Sequence, residues 1–226
     1  FYIFKNKLIY LFNNLYIMNL YYDKDDIEVG IDEVGRGCLS GPVYAAAVIM
    51  PKEFSKDDEL YKQIKDSKKL SNKKRILIAE YIKKVAIDWA VGIVYSDEID
   101  KINILQASFK AMHKAIDNLK KEPEQIIVDG NYFKPYMNKK GDLVPHKCII
   151  GGDNCYLSIA AASIIAKVER DNYIINLCEE EPILKNYGWD KNKGYGTKQH
   201  REAIVKYGLT KYHRRTFGIC KRFCSK

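Results

Sequence analysis

The apolar and polar positions of this chain fall into short apolar runs separated by longer amphipathic stretches. Ile27 to Ile31 is an apolar run that predicts a buried strand ending on two adjacent carboxylates, Asp32 and Glu33. Beyond the Gly41-Pro42 turn, Val43 to Met50 is small and β-branched and predicts a second strand paired with the first. Pro51 to Tyr61 is polar and reads as a loop. Ser71 is placed as the N-cap of a helix running to about Lys84. Ile87, Trp89, Val91, Ile93 and Tyr95 alternate with small or polar neighbours, the pattern of a third strand with one better-buried face. Leu105, Phe109, Met112, Ile116 and Leu119 form the stripe of an amphipathic helix that packs on a core and stops before Pro123. Gln125 to Val128 is a short strand ending on Asp129-Gly130, and Lys147 to Ile150 is another, handing over through Gly151-Gly152 to Asp153. Tyr156 to Cys178 is a helix whose first half is nearly all small (Ser158, Ala160, Ala161, Ala162, Ser163, Ala166), so its backbone can lie close against a sheet. From Glu179 the chain is loop-rich and basic, with a short helix ending at Tyr207.

Three of these strands finish at carboxylates: Asp32 with Glu33, Asp129, and Asp153. In open α/β sheets the strand ends, where connections diverge, are where ligands sit. Acids gathered there repel one another unless divalent cations neutralise them, so the pattern predicts a metal site. The stretch after the first pair strengthens that expectation. Gly35 and Gly37 open the backbone around Arg36, and glycine lets main-chain N–H groups approach a polyanion closely. Asp171, at the far turn of the long helix, reads as a structural ion pair. Lys167 and Arg170 read either as phosphate contacts or as a solvated basic face.

At 226 residues the chain can fold around one good-sized core without disulfides. Six cysteines carry no C-x-x-C spacing and read as reduced thiols. Lys and Arg total 38 against 29 Asp and Glu, a net charge of +9 that favours polyanionic partners, nucleic acid above all. In the C-terminal part, from Gly188 to His200 and again at His213-Arg214-Arg215-Thr216-Phe217, aromatics interleave with Lys and Arg on glycine loops, a pattern that offers stacking faces beside phosphate charge. Phe1 to Tyr22 is apolar but too broken to span a bilayer, which takes roughly 20 residues as a helix. It has no signal-peptide cleavage site, so no membrane partner and a cytoplasmic location are expected. Met18 is read as the natural start, with residues 1–17 an over-extended reading frame. The expected organisation is an extension over 1–24, a core over 25–178, and a basic C-terminal part of the same domain over 179–226.

The chain resembles the type 2 ribonucleases H. The resemblance rests on Gly30-Ile31-Asp32-Glu33-Val34-Gly35-Arg36-Gly37 with Gly41-Pro42, Asp66-Ser67-Lys68-Lys69-Leu70-Ser71, and Val128-Asp129-Gly130-Asn131. It continues through Gly152-Asp153, Ala161 to Val168 with Arg170-Asp171, and Lys193-Gly194-Tyr195 to His213-Arg214-Arg215, all in the family's order. It implies a ribonuclease H-like α/β fold: a mixed five-stranded sheet flanked by helices, with a small helical C-terminal part. It implies an endonuclease that hydrolyses the RNA strand of RNA–DNA hybrids and nicks 5′ of single ribonucleotides in duplex DNA, leaving 3′-hydroxyl and 5′-phosphate ends. Asp32, Glu33, Asp129 and Asp153 match the family's acidic positions and would hold two Mg²⁺ or Mn²⁺ ions roughly 3.5–4 Å apart at the scissile phosphate. The main chain of Gly35-Arg36-Gly37 would bond the 2′-hydroxyl, Tyr195 would pack on the next deoxy sugar, and Ser67, Lys68 and Lys69 would grip phosphates. Cys38 departs from the small residue or proline expected there, and no clamp-binding peptide closes the chain, which is expected to act as a monomer. A type 3 ribonuclease H is the nearest rival, but Arg36 stands in the glycine loop where that group lacks it. A non-catalytic hybrid-binding protein or a basic ribosome-associated protein would gain nothing from the four acids.

Overall fold

The computed structural model describes residues 18–55, 58–64 and 70–224. Residues 1–17, on which the start-site expectation falls, lie outside them. A five-stranded sheet has the order β3-β2-β1-β4-β7, with β1 at Glu28–Val34, β2 at Val43–Ile49, β3 at Asp88–Val94, β4 at Gln125–Asp129 and β7 at His146–Ile149. A two-stranded hairpin, β5 (Tyr136–Met137) and β6 (Leu143–Val144), precedes β7. The helices are α1 (Asn72–Val85), α2 (Ser96–Asp117), α3 (Leu157–Glu180), α4 (Trp189–Asn192) and α5 (Lys198–Tyr207). β1 runs antiparallel to β2 and parallel to β4, and β4 runs parallel to β7, so the sheet is mixed as expected.

The two-residue period of β1 decides what each face meets. Val29 and Ile31 join the core built with α2, which also holds Phe109, Met112 and Ile116. Gly30 faces α3 instead. A Cβ on Gly30 would stand 2.3 Å from the main-chain carbon of Ser158, so this glycine is what lets the small-residue half of α3 lie on the strand. The same device recurs on the other side of the sheet, where a Cβ on Gly92 would stand 2.0 Å from the Ala111 carbonyl oxygen of α2. The better-buried face of β3 is therefore Ala90, Gly92 and Val94, while Trp89, Val91 and Ile93 are half-buried, the reverse of what side-chain size suggests. Close helix packing selects the small side chains.

Two further differences from the sequence pattern have local causes. β1 does not stop before its acids but continues through Asp32 and Glu33 to Val34, because β2 goes on pairing with it at Asp32↔Ala46 and Glu33↔Ala45. α2 begins well before its apolar stripe and kinks at Asn103, whose φ is 66°. The Asn103 side-chain oxygen accepts from the amides of Leu105 and Gln106 at 3.0 and 3.2 Å, restarting the helix beyond the kink as an N-cap would. Ser71 caps α1 as expected, accepting from the Lys74 amide.

The C-terminal part wraps the end of α3, with Ile174, Leu177 and Cys178 packed against Leu184, Tyr187, Trp189 and Ile204. Here the expectation of exposed stacking faces is corrected in part: Trp189, His200, His213 and Arg214 are buried together with the neighbouring Tyr187, while Tyr195 stays exposed. The buried rings form a small core of edge and tilted contacts, not a surface. All six cysteines are free thiols. Among the described residues no helix is long and apolar enough to cross a membrane.

Candidate active site

Parallel pairing brings the acids together. The register Ile31↔Val128 sets Asp129 level with Asp32 on the neighbouring strand, about 4.8 Å away by ordinary sheet spacing. Asp32, Glu33 and Asp129 line one cleft of about 230 Å³ together with Val34, Arg75, Ser163, Lys167 and Tyr195. Asp32 is buried, and its carboxyl is raised well above the usual carboxylate range by that burial, then by the charges of Glu33 and Asp129. The Ser163 hydroxyl and the Glu33 amide (2.7 Å) oppose the shift by donating to it. Burial also raises Glu33, against the pull of the Arg36 guanidinium, which is paired with it at 3.0 Å. Asp129 accepts from the Gly152 amide at 2.7 Å, which ties β4 to the turn after β7.

Asp153 is placed differently. It sits in a 3-10 turn (Gly152–Asn154) beyond β7, is buried, and accepts from the Asn154 side chain at 2.9 Å. It is not among the residues lining the cleft. Among the described residues no group of three or more His, Cys, Asp or Glu side chains forms a ready-made metal cage. The structure thus brings three of the four expected acids to one opening and leaves the fourth off its lining, one residue past Gly152, whose amide bonds Asp129.

The glycine loop is held from beneath. Gly35 has φ of +94°, and a Cβ there would stand 2.3 Å from Nε of Arg170, so the position needs glycine twice over. Gly37 has open space where a Cβ would be, leaving its main chain accessible. Arg36 is exposed. Arg170, one of the two phosphate-contact candidates, is fully buried instead, donating to the carbonyls of Pro42 (2.9 Å), Lys193 (2.9 Å) and Ser40 (3.2 Å). Arg214 is equally buried and donates to Gly41 O at 3.0 Å and Arg36 O at 2.9 Å. Burial, aided by the nearby Arg170 charge, lowers Arg214 to about 10. The loop is also threaded between two C-terminal segments: Cys38 bridges Tyr195, Ser40 bridges His213, and the Leu39 amide donates to Gly194 O at 2.9 Å.

Tyr195 reaches the acid cleft through this threading. Its ring lies 5.6 Å from the Lys167 ammonium and 5.9 Å from the Arg170 guanidinium, and burial pushes its phenol up to about 12. The expected Asp171 ion pair is present, with Lys167 at 2.8 Å. Ser67, Lys68 and Lys69 lie outside the described residues. Sequence reasoning missed Arg75 and the role of Ser163. The hydroxyl could have been found as a polar residue within an otherwise apolar helix face; Arg75, one basic residue among several on α1, carried no such signal.

Residues 29–220 match the family model described as Ribonuclease HII. A protein named Ribonuclease HII from Bacteroides thetaiotaomicron is 53% identical over 199 residues, covering 88% of this chain and 93% of the relative. Among solved structures, the ribonuclease H2 of Pyrococcus horikoshii has 26% identity and a TM-score of 0.65, covering 87% of this chain and 96% of its own. The ribonuclease HII solved in complex with PCNA from Archaeoglobus fulgidus has 29% identity and a TM-score of 0.66, covering 85% of this chain and 95% of its own. With its mixed sheet, its adjacent strand-end acids and half its residues shared with such a relative, the chain belongs to the ribonuclease HII family of endoribonucleases.

Proposed function

We propose that the protein nicks duplex DNA on the 5′ side of an embedded ribonucleotide and cuts the RNA strand of RNA–DNA hybrids, using divalent cations held at the cleft. One observation carries this reading: Asp32, Glu33 and Asp129 open onto the same cleft as Tyr195, and the Arg36 side chain of the glycine loop pairs with Glu33 there. The donor set fits hard divalent ions. Oxygen ligands are what Mg²⁺ and Mn²⁺ take, and the mutual repulsion that raises Asp32 is what a cation relieves. Asp32, Glu33 and Asp129 would hold the ions; Asp153 is proposed as the fourth ligand on the family resemblance alone. Bound there, two such ions supply an activated water and charge stabilisation of the leaving 3′-oxygen.

The chain's own groups do the rest. The main chain at Gly37, bare of a side chain, bonds the 2′-hydroxyl that separates RNA from DNA. Tyr195 packs against the sugar on the 3′ side and reads the RNA-to-DNA junction. Arg75 and Lys167, both on the cleft wall, hold phosphate oxygens in line with the acids. The net charge of +9 keeps the duplex bound while the cleft selects the position. The expected substrate partner is therefore duplex nucleic acid, with Ser67, Lys68 and Lys69 adding phosphate contacts.

A DNA duplex with one internal ribonucleotide tests the reading. It should be nicked with Mg²⁺ or Mn²⁺ and left intact with chelator, and Asp32→Asn should abolish nicking while duplex binding persists. Cutting of an all-DNA control at the same rate, or metal-independent cutting, would overturn it.

A further inference from the structure

Beneath Tyr195 lies a buried chain of hydrogen bonds whose protons have only one possible arrangement. The Trp189 indole N–H, a donor only, lies 3.0 Å from Nε2 of His200. That nitrogen must therefore accept, and a neutral His200 carries its proton on Nδ1. Nδ1 in turn faces the Tyr195 carbonyl oxygen at 3.0 Å, an acceptor only. His213 is set the opposite way. Its Nδ1 accepts from the Thr210 amide at 2.9 Å, so its proton sits on Nε2, 3.1 Å from Nε2 of His200. One lone pair on His200 is thus shared by two donors, and the remaining donor of the ring is aimed at Tyr195. His200 is fully buried and His213 nearly so, and burial lowers His200 and brings His213 down to about 3, which keeps both rings neutral.

We propose that His200 is a positioning residue for Tyr195: its Nδ1–H fixes the Tyr195 main chain, and the Trp189–His213 pair exists to hold that proton on Nδ1. The glycine loop holds this backbone on one side, through the Cys38 bridge and the Leu39 amide on Gly194 O, and His200 holds it on the other. Lys193 sits in the left-handed region at φ 52° and Gly194 at φ +84°, so the residues leading into Tyr195 follow a strained turn. The Tyr195 carbonyl takes the Thr197 amide at 2.8 Å and the His200 ring at 3.0 Å, which clamps the turn from its far side. Two C-terminal histidines buried in an aromatic core are in this way connected to a ring in the acid cleft, and the connection sets the angle at which Tyr195 meets the sugar beyond the ribonucleotide. The inference rests on the ribonucleotide-reading role given to Tyr195 above.

A pair of variants separates positioning from folding. In His200→Asn the side-chain amide N–H takes the place of Nδ1–H and can still donate to Tyr195, but Trp189 and His213 lose their acceptor. In His200→Gln the side chain reaches the Nε2 place, satisfies Trp189 and His213, and leaves the Tyr195 carbonyl with the Thr197 amide alone. The Gln variant should therefore be the more heat-stable of the two. It should also lose on the order of tenfold in kcat/KM on a duplex with one ribonucleotide, while changing little on a continuous hybrid. The Asn variant should show the opposite order, less stable yet within about threefold of wild type in that preference. Opposite orders of stability and selectivity support the proposal; a purely structural histidine gives the same order for both and overturns it. ¹⁵N-labelled histidine spectra of the wild-type protein give a readout independent of activity and of how the variants fold. His200 with its proton on Nε2 overturns the proposal, and His200 with its proton on Nδ1 supports it. Tyr195→Ala, run alongside, tells the two levels apart. If it leaves the single-ribonucleotide preference unchanged, the reading of Tyr195 falls and this inference with it; if it abolishes the preference while the Gln and Asn variants match, only the positioning role falls.

Discussion

Asp32 is a carboxylate that burial, Glu33 and Asp129 all push toward its protonated form. Its value in the fold lies well above its ordinary 3.8. Between those two values the folded protein binds a proton the unfolded chain does not, so the contribution of Asp32 to stability is fully present below the unfolded value and is lost as pH rises through the folded one. Without metal, Asp32→Asn should therefore melt higher than wild type at pH 8, by about 2–4 °C for each kcal/mol recovered, and the gap should close toward pH 4. Equal melting temperatures of the two chelated proteins at pH 8 would contradict this. Adding Mg²⁺ or Mn²⁺ should raise the wild-type melting temperature and leave the Asn variant nearly unmoved, since ligand binding to the native state adds stability by mass action. At this scale the sequence was highly legible for Asp32, Glu33 and Asp129, because strand ends and glycine turns are local signals. It was illegible for Arg170 and Arg214. A basic residue in a basic stretch reads as surface charge, and nothing nearby in sequence reveals that its guanidinium is buried among carbonyls from a loop well over a hundred residues away.

Among the elements, the contact between β1 and α3 positions the site. The nearly all-small first half of α3 was legible as a close-packing surface, and the bare Gly30 that receives it was part of the motif. Gly30→Ala would drive a methyl group into the helix backbone, which can yield only if α3 moves as a whole and carries Ser163 off Asp32. Overpacking of this kind costs about 3 kcal/mol or more, so thermal denaturation should show a drop of several degrees together with lost nicking. A variant that melts like wild type would show that α3 does not rest on Gly30. The face of β3 was misjudged from the same kind of pattern. Trp89, Val91 and Ile93 look like the core side, yet α2 approaches so closely that only Ala90, Gly92 and Val94 fit beneath it. Alternation reveals a strand; which side is buried depends on how near the partner helix can come.

Over the whole molecule, the C-terminal part packs on the end of α3 and is also tied to the Cys38–Pro42 segment. Arg170 and Arg214 are buried cations, and among the described residues neither forms a carboxylate ion pair; their charge is met by main-chain carbonyls on both sides of that junction. Charged hydrogen bonds of this sort are worth about 1.5–3 kcal/mol each, and replacing the donor removes them from the carbonyls at the junction. Arg170→Met should therefore cost about 3 kcal/mol or more and speed amide hydrogen exchange at Leu39 and Gly41 far more than within β4. Uniform exchange across the protein would mean that the two parts are not coupled through this residue. The interleaving of aromatic and basic residues in the C-terminal part suggested a stacking surface, but Tyr187, Trp189 and the two histidines are needed as that part's own core, leaving Tyr195 as the ring that reaches the acid cleft.

The sequence by itself marked the five strands of the main sheet, the helices other than α4, the acids at the strand ends, the glycine loop and the family motifs in their order. These are properties of neighbouring residues, set by a two- or 3.6-residue period and by the conformational needs of glycine. Only the tertiary structure decided that Asp32, Glu33 and Asp129 share a cleft that Asp153 does not line, that two arginines hold the glycine loop from below, and that a histidine pair is linked to Tyr195. The physical reason is that burial and hydrogen-bond partners at these positions come from segments distant in the chain. Whether a charge ends as a ligand, a surface contact or an internal tie depends on what the fold brings against it.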